Sequence, residues 1–376
     1  MRETRMPAVA FCLSVFLSAS ADAALASGSA LDFGIAARGR IIMTGCARIE
    51  GVNDPGEADI LSATYGSAEA VALTGNPGID GDIFICNPQG YASITGYPWI
   101  GGQTSWDRIS EHIHCGIGDV EFPQVDPTVF EPFATDTVDA ATPTGGNLVF
   151  ENIRVAAGTN PTFSGNTTVL GVMFIETPNR VCFLGNLALT GVIITEDAGQ
   201  DAWDANTIRF QGNTSFRGVE DLPDSPQFDA LRAMGGAAIL APGFSVFFAG
   251  NFGTISGAMA AERFVLSGNA GGTVCGPILS YGDGDLVLTG NAHLAIDRSR
   301  YPMEPPGFAD GAPSWTPVGD ADGDGDVDLE DFMILKRHFG TAAGADGSMG
   351  DFDGDGDVDL DDFALLKRHY DTGRLP

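Results

Sequence analysis

One short phrase recurs along the middle of this 376-residue chain: alternating apolar residues followed by Gly-Asn. It stands at Val71–Asn76, Thr162–Asn166, Val181–Asn186, Ile208–Asn213, Phe247–Asn251, Phe264–Asn269 and Leu286–Asn291. Where copies lie close, Asn251 to Asn269 is 18 residues and Asn186 to Asn213 is 27, the length of one solenoid coil. Each copy reads as a short strand and then a turn at Gly-Asn, where a left-handed backbone is tolerated. A second strand follows, such as Gly171–Ile175 or Gly191–Thr195. The expected fold class is mainly β: a parallel β-helix (solenoid) over residues 24–300, its hand undecided. A β-sandwich also uses many short strands, but gives no reason for one dipeptide to return at the same place in each unit. Asparagines at a repeated turn can stack and share amide hydrogen bonds from coil to coil. Asn166-Thr-Thr168 and Asn213-Thr-Ser215 also fit a glycosylation acceptor, but they coincide with the repeat.

Three stretches interrupt the repeat. Residues 118–147 are rich in Pro and Gly and read as a crossing segment packed by its aromatics. Residues 220–242 contain an expected helical turn at Gln227–Met234, starting after Ser225-Pro226. Residues 301–318 form a Pro-rich, semi-rigid linker.

Beyond it, at 319–376, two twelve-residue acidic loops stand thirty-one residues apart: Asp320–Asp331 and Asp351–Asp362. In each, carboxylates at positions 1, 3 and 5 converge, Gly325 or Gly356 at position 6 permits a sharp turn, and position 12 closes the cage. Hard oxygen ligands in this order suit Ca²⁺, whereas zinc would ask for His and Cys, which neither loop contains. Two calcium ions are expected. Each loop leads into a short helix with an expected apolar face, Phe332, Leu335 and Phe339 in one and Phe363, Leu366 and Tyr370 in the other. From residue 318 onward sixteen acidic residues face five basic ones, so removing calcium should loosen this module by self-repulsion.

A loop followed by an exiting helix, duplicated with Lys336-Arg337 and Lys367-Arg368, resembles a type I dockerin domain, a small all-α calcium-binding fold. The resemblance implies that Asp320, Asp322, Asp324, Asp328 and Asp331 hold one ion by side chains, with Asp326 giving its carbonyl. It implies the same of Asp351, Asp353, Asp355, Asp359 and Asp362, with Asp357 in the carbonyl role. Position 12 is Asp, as in dockerins, so a shorter arm must reach the metal. Dockerins hold their parent chain to a cohesin on another chain. The positions expected to meet that partner are Leu329, Glu330, Lys336, Arg337, Leu360, Asp361, Lys367 and Arg368. Leu329-Glu330 and Leu360-Asp361 stand where cellulosomal dockerins carry Ser/Thr pairs. The body, by its Gly-Asn phrases, Gly81-Asp-Ile-Phe84, Asn87-Pro88 and Phe122–Pro127, is similar to β-helical regions of secreted bacterial pilus-assembly-like and polymer-forming proteins. That similarity implies a structural or surface role.

At the start, Arg2 and Arg5 precede an apolar run from Pro7 to Leu17 and small residues follow, so residues 1–23 read as a signal peptide and the protein as secreted or cell-surface. No segment approaches the ~20 apolar residues of a membrane span. The net charge of −31 argues against nucleic acid and anionic lipid as partners. Five cysteines follow the leader, Cys46, Cys86, Cys115, Cys182 and Cys275; one or two disulfides are plausible, and the odd count leaves a thiol over. His112-Ile-His-Cys115 puts two imidazoles on one side of a strand, which invites a metal reading, but no fourth ligand stands out.

A β-helical polysaccharide lyase or glycoside hydrolase carrying a dockerin is the alternative function. A lyase needs an Arg or Lys base, yet no lysine precedes Lys336, and Arg154, Arg180, Arg209 and Arg263 are isolated. A hydrolase needs spaced carboxylates, and Glu196-Asp197, Asp201 with Asp204, and Glu220-Asp221 fall in expected turns. The expectation is therefore a non-catalytic structural or adhesion protein, with possible cell-surface or glycan contact through the body.

Overall fold

The computed structural model describes residues 28–199, 204–299, 305–309, 319, 321–322, 327, 329–342, 344–345, 347–352 and 356–370. The expected leader and most of the expected linker lie outside these residues. Two compact units divide the chain, Met1–Ala309 and Asp310–Pro376. The division falls inside the stretch read as linker, because Phe308–Ala309 pairs antiparallel with Gln124–Val125 and Phe308 is buried in the first unit.

The first unit is mainly β. Among the described residues its principal sheet has 24 strands and its ladders are parallel throughout, which separates it from the antiparallel ladders of a sandwich. Residues pair in register with others about one repeat further on: Asn166 with Asn186, Gly171 with Gly191, Met173 with Ile193. Continued through the sheet, the register makes an aliphatic column of Ile153, Met173, Ile193, Ile239, Met259, Ile278, Ile35, Ile60, Ile83 and Ile113. Apart from Ile113, which is half-buried, every member of the column is essentially inaccessible. A parallel column is Phe163, Phe183, Phe210 and Phe248, whose rings stack at 5.0, 5.4 and 4.7 Å between centroids. Stacked rings at these spacings add about 0.5–1.5 kcal/mol per pair beyond the area they bury.

The columns reveal a change of order. Ile278 pairs with Ile35 and His293 with Arg48, so the earliest strands of the body add onto its latest ones. Residues 116–144 then carry the chain from Ile113–Cys115 to Gly145–Val155, which opens the column at its other end. This is the expected crossing segment. It covers a second apolar surface: Phe130 belongs to a buried cluster that includes Val172, Val192, Leu240, Leu279, Ala36 and Leu61 together with Phe228 and Leu231. Strands under this cover are buried on both faces, which is why Ile60-Leu-Ser62 and Ile278-Leu-Ser280 do not alternate with polar residues. The segment is pinned where the Arg38 guanidinium lies 5.2 Å from the Phe122 ring and 5.5 Å from that of Tyr281, while the Tyr281 hydroxyl donates to the Pro123 carbonyl. The helical turn lies at Asp229–Arg232, shorter than expected and begun at Phe228, because Ser225 supplies only a carbonyl to the Phe228 amide.

At the repeated corner the rows come closest. A Cβ on Gly75 would sit 2.6 Å from the Gly45 carbonyl oxygen, and one on Gly290 2.8 Å from that of Gly268. On Gly165, Gly185, Gly212 or Gly250 it would overlap the carbonyl of the preceding row's glycine. The column also takes in Gly146 and Gly96, whose phrases, Gly-Asn147 and Gly-Tyr97, do not belong to the seven recognisable copies, and neither does Gly45-Cys46. Beside it runs the expected asparagine ladder: Asn166 donates to Asn147 at 2.9 Å, Asn186 to Asn166 at 2.9 Å, Asn213 to Asn186 at 3.3 Å and Asn291 to Asn269 at 3.4 Å.

No disulfide joins the five cysteines in the described residues, against the one or two expected. Strand register scatters them instead, and Cys86 is wholly buried where burial pushes its thiol up to about 12.

Replacing Gly185 with alanine should destabilise the body by about 1–3 kcal/mol through overpacking, whereas Gly66→Ala, with open space at its Cβ, should be nearly neutral. Urea unfolding of the two variants checks this.

Candidate metal centre

The second unit is built twice from the same parts. Its helices run Leu329–His338 and Leu360–His369. The first carries Glu330 and Asp331 in its opening turn and Lys336, Arg337 and His338 in its last, charges that oppose the helix dipole at both ends. Val327, Leu335, Val358 and Leu366 are buried to 1% exposure or less and form the shared core, with Phe332, Ala345 and Phe352 against it. The expected apolar faces therefore hold at the two leucines and in part at Phe332, and fail at Phe363, which is 36% exposed, and at their far ends. Phe339 is 48% exposed and Tyr370 42% exposed, because the valine of each loop takes the inward place they were given. The halves are tied by Val358, whose amide donates to the Thr341 carbonyl at 2.9 Å and whose carbonyl accepts from the Gly340 amide at 2.8 Å. Gly350, with φ +97°, precedes the second loop; a Cβ there would lie 2.8 Å from the Leu335 Cα. Gly319 holds the matching place before the first loop, against Leu366. Neither glycine was singled out from the sequence, although both precede the first Asp of a loop.

Of the expected ligands, Asp322, Asp331, Asp351, Asp357, Asp359 and Asp362 are described. Asp320, Asp324, Asp326, Asp328, Asp353 and Asp355 lie outside the described residues. Position 12 behaves alike in both loops. Asp331 Oδ1 accepts from the Ala321 amide at 2.7 Å, and Asp362 Oδ1 accepts from the Phe352 amide at 2.7 Å. Both carboxylates are buried, at 1% and 0% exposure, so the short Asp arm reaches back to the start of its own loop. In the second loop, Asp357, Asp359 and Asp362 bring ligand oxygens within 4.8 Å of one another. The Asp357 side chain thus joins a cluster in which the resemblance gave it only a carbonyl role. A donor set made of carboxylates fits a hard divalent cation such as Ca²⁺, and gathering these negative charges without one is opposed by Coulomb repulsion.

The expected partner-facing side chains lie on the outside of the unit. Leu329, Glu330, Lys336 and Arg337 are exposed, as are Leu360 and Lys367; the side chains of Asp361 and Arg368 lie outside the described residues. Met333, 55% exposed, extends the surface begun by Leu329, at 57%, one turn along the helix.

Residues 318–370 match the family of the dockerin type I domain. Dockerin domains bind calcium and dock to cohesins, and proteins that carry them are typically extracellular or on the cell surface. Comparison with curated proteins and with solved structures gives no match for the chain. Among the described residues, no helix is long and apolar enough to cross a membrane.

The paired histidines of the body both meet one carboxylate. His112 Nδ1 lies 2.7 Å from Asp82 Oδ1 and His114 Nε2 2.8 Å from Asp82 Oδ2. Both imidazoles thus share one carboxylate and fasten Ile113–Cys115 to Ile83–Ile85. Among the described residues they form no metal-sized cluster with Cys115. Asp82 and its neighbour Asp59 were missed in the sequence because thirty residues separate Asp82 from His112. Hydrogen bonds from His114, then His112, hold the Asp82 carboxyl below its usual range against the opposing effect of burial. Burial raises Asp59 to about 6, with the Asp82 charge adding to the rise; the Asp82 amide hydrogen bond, His114 and Arg298 oppose it.

A carboxyl raised in the folded state takes up its proton on folding between pH ~4, its unfolded value, and about 6. Its contribution to stability is therefore full below pH ~4 and is lost as pH rises through 6. Asp59→Asn should raise Tm at pH 8 and lose that advantage at pH 4, as measured by thermal scans across the range.

Proposed function

We propose that this chain is a secreted, non-catalytic structural or adhesion protein. In this reading a parallel β-helical body is docked to a cohesin-like partner by a dockerin holding two calcium ions. The observation that carries it is the duplicated C-terminal unit. In both loops the position-12 aspartate is buried and bonded to the amide of position 2, and both helices leave a leucine and a lysine outside.

The helical reading of the body is supported by the continuous parallel register and by the glycine and asparagine columns at one corner. Each row then buries its inward residues only against the next row, so stability accrues row by row. Trp106–Ile109 supports an end cap: its Ile109 is buried in the main core, whereas Trp106 is exposed.

A passive body is supported by what its acidic residues do. Glu196 accepts from the Thr177 amide at 2.8 Å and from its hydroxyl at 3.0 Å, and Asp197 accepts from the Gly199 amide at 2.8 Å. The Glu196 bonds tie one row to the next and the Asp197 bond closes a turn. Asp201 lies outside the described residues, and Asp204 offers its carbonyl to Arg180. The hydrolase or lyase alternative would need a carboxylate or arginine whose loss abolishes activity on a glycan.

Full-length protein immobilised with calcium should retain one cohesin-bearing partner from the secreted and envelope fractions of its source and release it to a chelator. Capture that survives the chelator would overturn calcium-gated docking. Asp320→Ala combined with Asp351→Ala should abolish the calcium-induced gain of helical circular dichroism; unchanged calcium binding in that variant would sink the metal assignment.

A further inference from the structure

The asparagine ladder is interrupted once. Asn213 donates down to Asn186 and Asn291 donates to Asn269, but Asn251, which lies between Asn213 and Asn269 in the order of rows, makes no side-chain hydrogen bond among the described residues. The cause is local. Between Thr214↔Phe252 and Phe216↔Ile255 the strand Asn251–Ser256 uses one residue more than its neighbour. Between Asn251↔Gly271 and Thr254↔Thr273 it again uses one more. The strand is bulged against both neighbours at once, and a Cβ on Gly253 would meet nothing within 4 Å.

At this break the surface holds a groove of about 530 Å³, whose lining includes Asn213, Asn251, Asn269, Asn291, Gly253 and His293. All four asparagines lie at the solvent boundary, Asn213 and Asn251 on either side of the break. In the intact part of the column each amide oxygen is occupied by the next amide. Here the interruption leaves carboxamide donors and acceptors facing solvent together with the backbone of Gly253.

The chemistry of the lining selects the ligand. The carboxamides are uncharged and each offers two N–H donors and an acceptor oxygen. The ionisable side chain of the lining, His293, is held at 2.9 Å by Glu50. An anionic ligand would find no counter-charge and would meet a chain of net charge −31. A hydroxyl group both donates and accepts and so matches an amide of either orientation. Rows recur about every 4.8 Å, so a chain molecule bearing hydroxyls at regular intervals can engage successive amides.

We propose that this groove binds an uncharged polysaccharide. The proposal deepens the reading of the body as a non-catalytic contact surface and is independent of the dockerin, so its test can fail while calcium-gated docking stands.

The test is affinity electrophoresis of the full chain through gels containing hydroxyethylcellulose, arabinoxylan or galactomannan, with polygalacturonate as the anionic comparison, with calcium and with chelator. At least one neutral polymer should retard the protein equally in both conditions, and polygalacturonate should not. Asn251→Leu should weaken the retardation at least tenfold without lowering Tm, since Asn251 contributes no ladder bond. Asn186→Leu, inside the intact ladder, should lower Tm and leave retardation unchanged. Should Asn251→Leu not fold, Asn291→Ala should weaken the retardation likewise, although it also gives up its ladder bond to Asn269 and so lowers Tm. Absence of retardation by every neutral polymer, equal retardation by polygalacturonate, or full retardation of both groove variants would each overturn the proposal.

Discussion

Backbone approaches backbone at one corner of most rows, and the body's other regularities follow from that contact. The carbonyl of one row's glycine occupies the place a side chain would need in the next, as between Gly45 and Gly75 at 2.6 Å. Only glycine fits. Once the corner is held, register is held, because a slip of one residue would exchange Ile193 of the main core with Ile194 of the second apolar surface. The phenylalanine and isoleucine columns can then stack like on like. The asparagine beside the corner is under a weaker constraint. It lies outside, and its amide bonds to the next row add to a register the glycines have set.

That division of labour explains which parts of the corner were legible. Gly-Asn announced itself seven times, and the amide ladder could be anticipated from it. Gly45-Cys46 and Gly96-Tyr97 hold the same corner but escaped notice, because the exposed second position tolerates other side chains. The pairing of Ile35 with Ile278 was not legible at all. Every row offers the same alternation and the same hydrogen-bonding edge, so nothing local tells one row which other row it joins. The choice is made by distant contacts, among them Arg38 between Phe122 and Tyr281, whose members have no recognisable spacing in the chain.

The calcium module is the opposite case. Its ligands are contiguous, so order and spacing in the sequence expose them without knowledge of the tertiary fold. What could not be read was how the halves meet. An i, i+3, i+7 pattern marks Phe332, Leu335 and Phe339 as one face, but the loop valines reach the core first and leave Phe339 and Tyr370 outside. The small core thereby keeps large apolar side chains on its surface, where a partner can cover them.

The two units consequently depend on different forces. In the body, acidic side chains sit in turns or against histidine and arginine, as Asp82 does with His112 and His114 and Asp285 with Arg40 at 2.8 Å. Its inward columns supply the cohesion. In the C-terminal unit four buried aliphatic side chains form the core among the described residues, too few to offset unaided the repulsion among the fourteen carboxylates that the sequence places in the two loops. Cation binding is then part of folding itself. In the docking we propose, the exposed leucines and lysines are set for a partner only while the loops are neutralised. On that proposal, a change in calcium concentration acts first on the docking surface of the C-terminal unit.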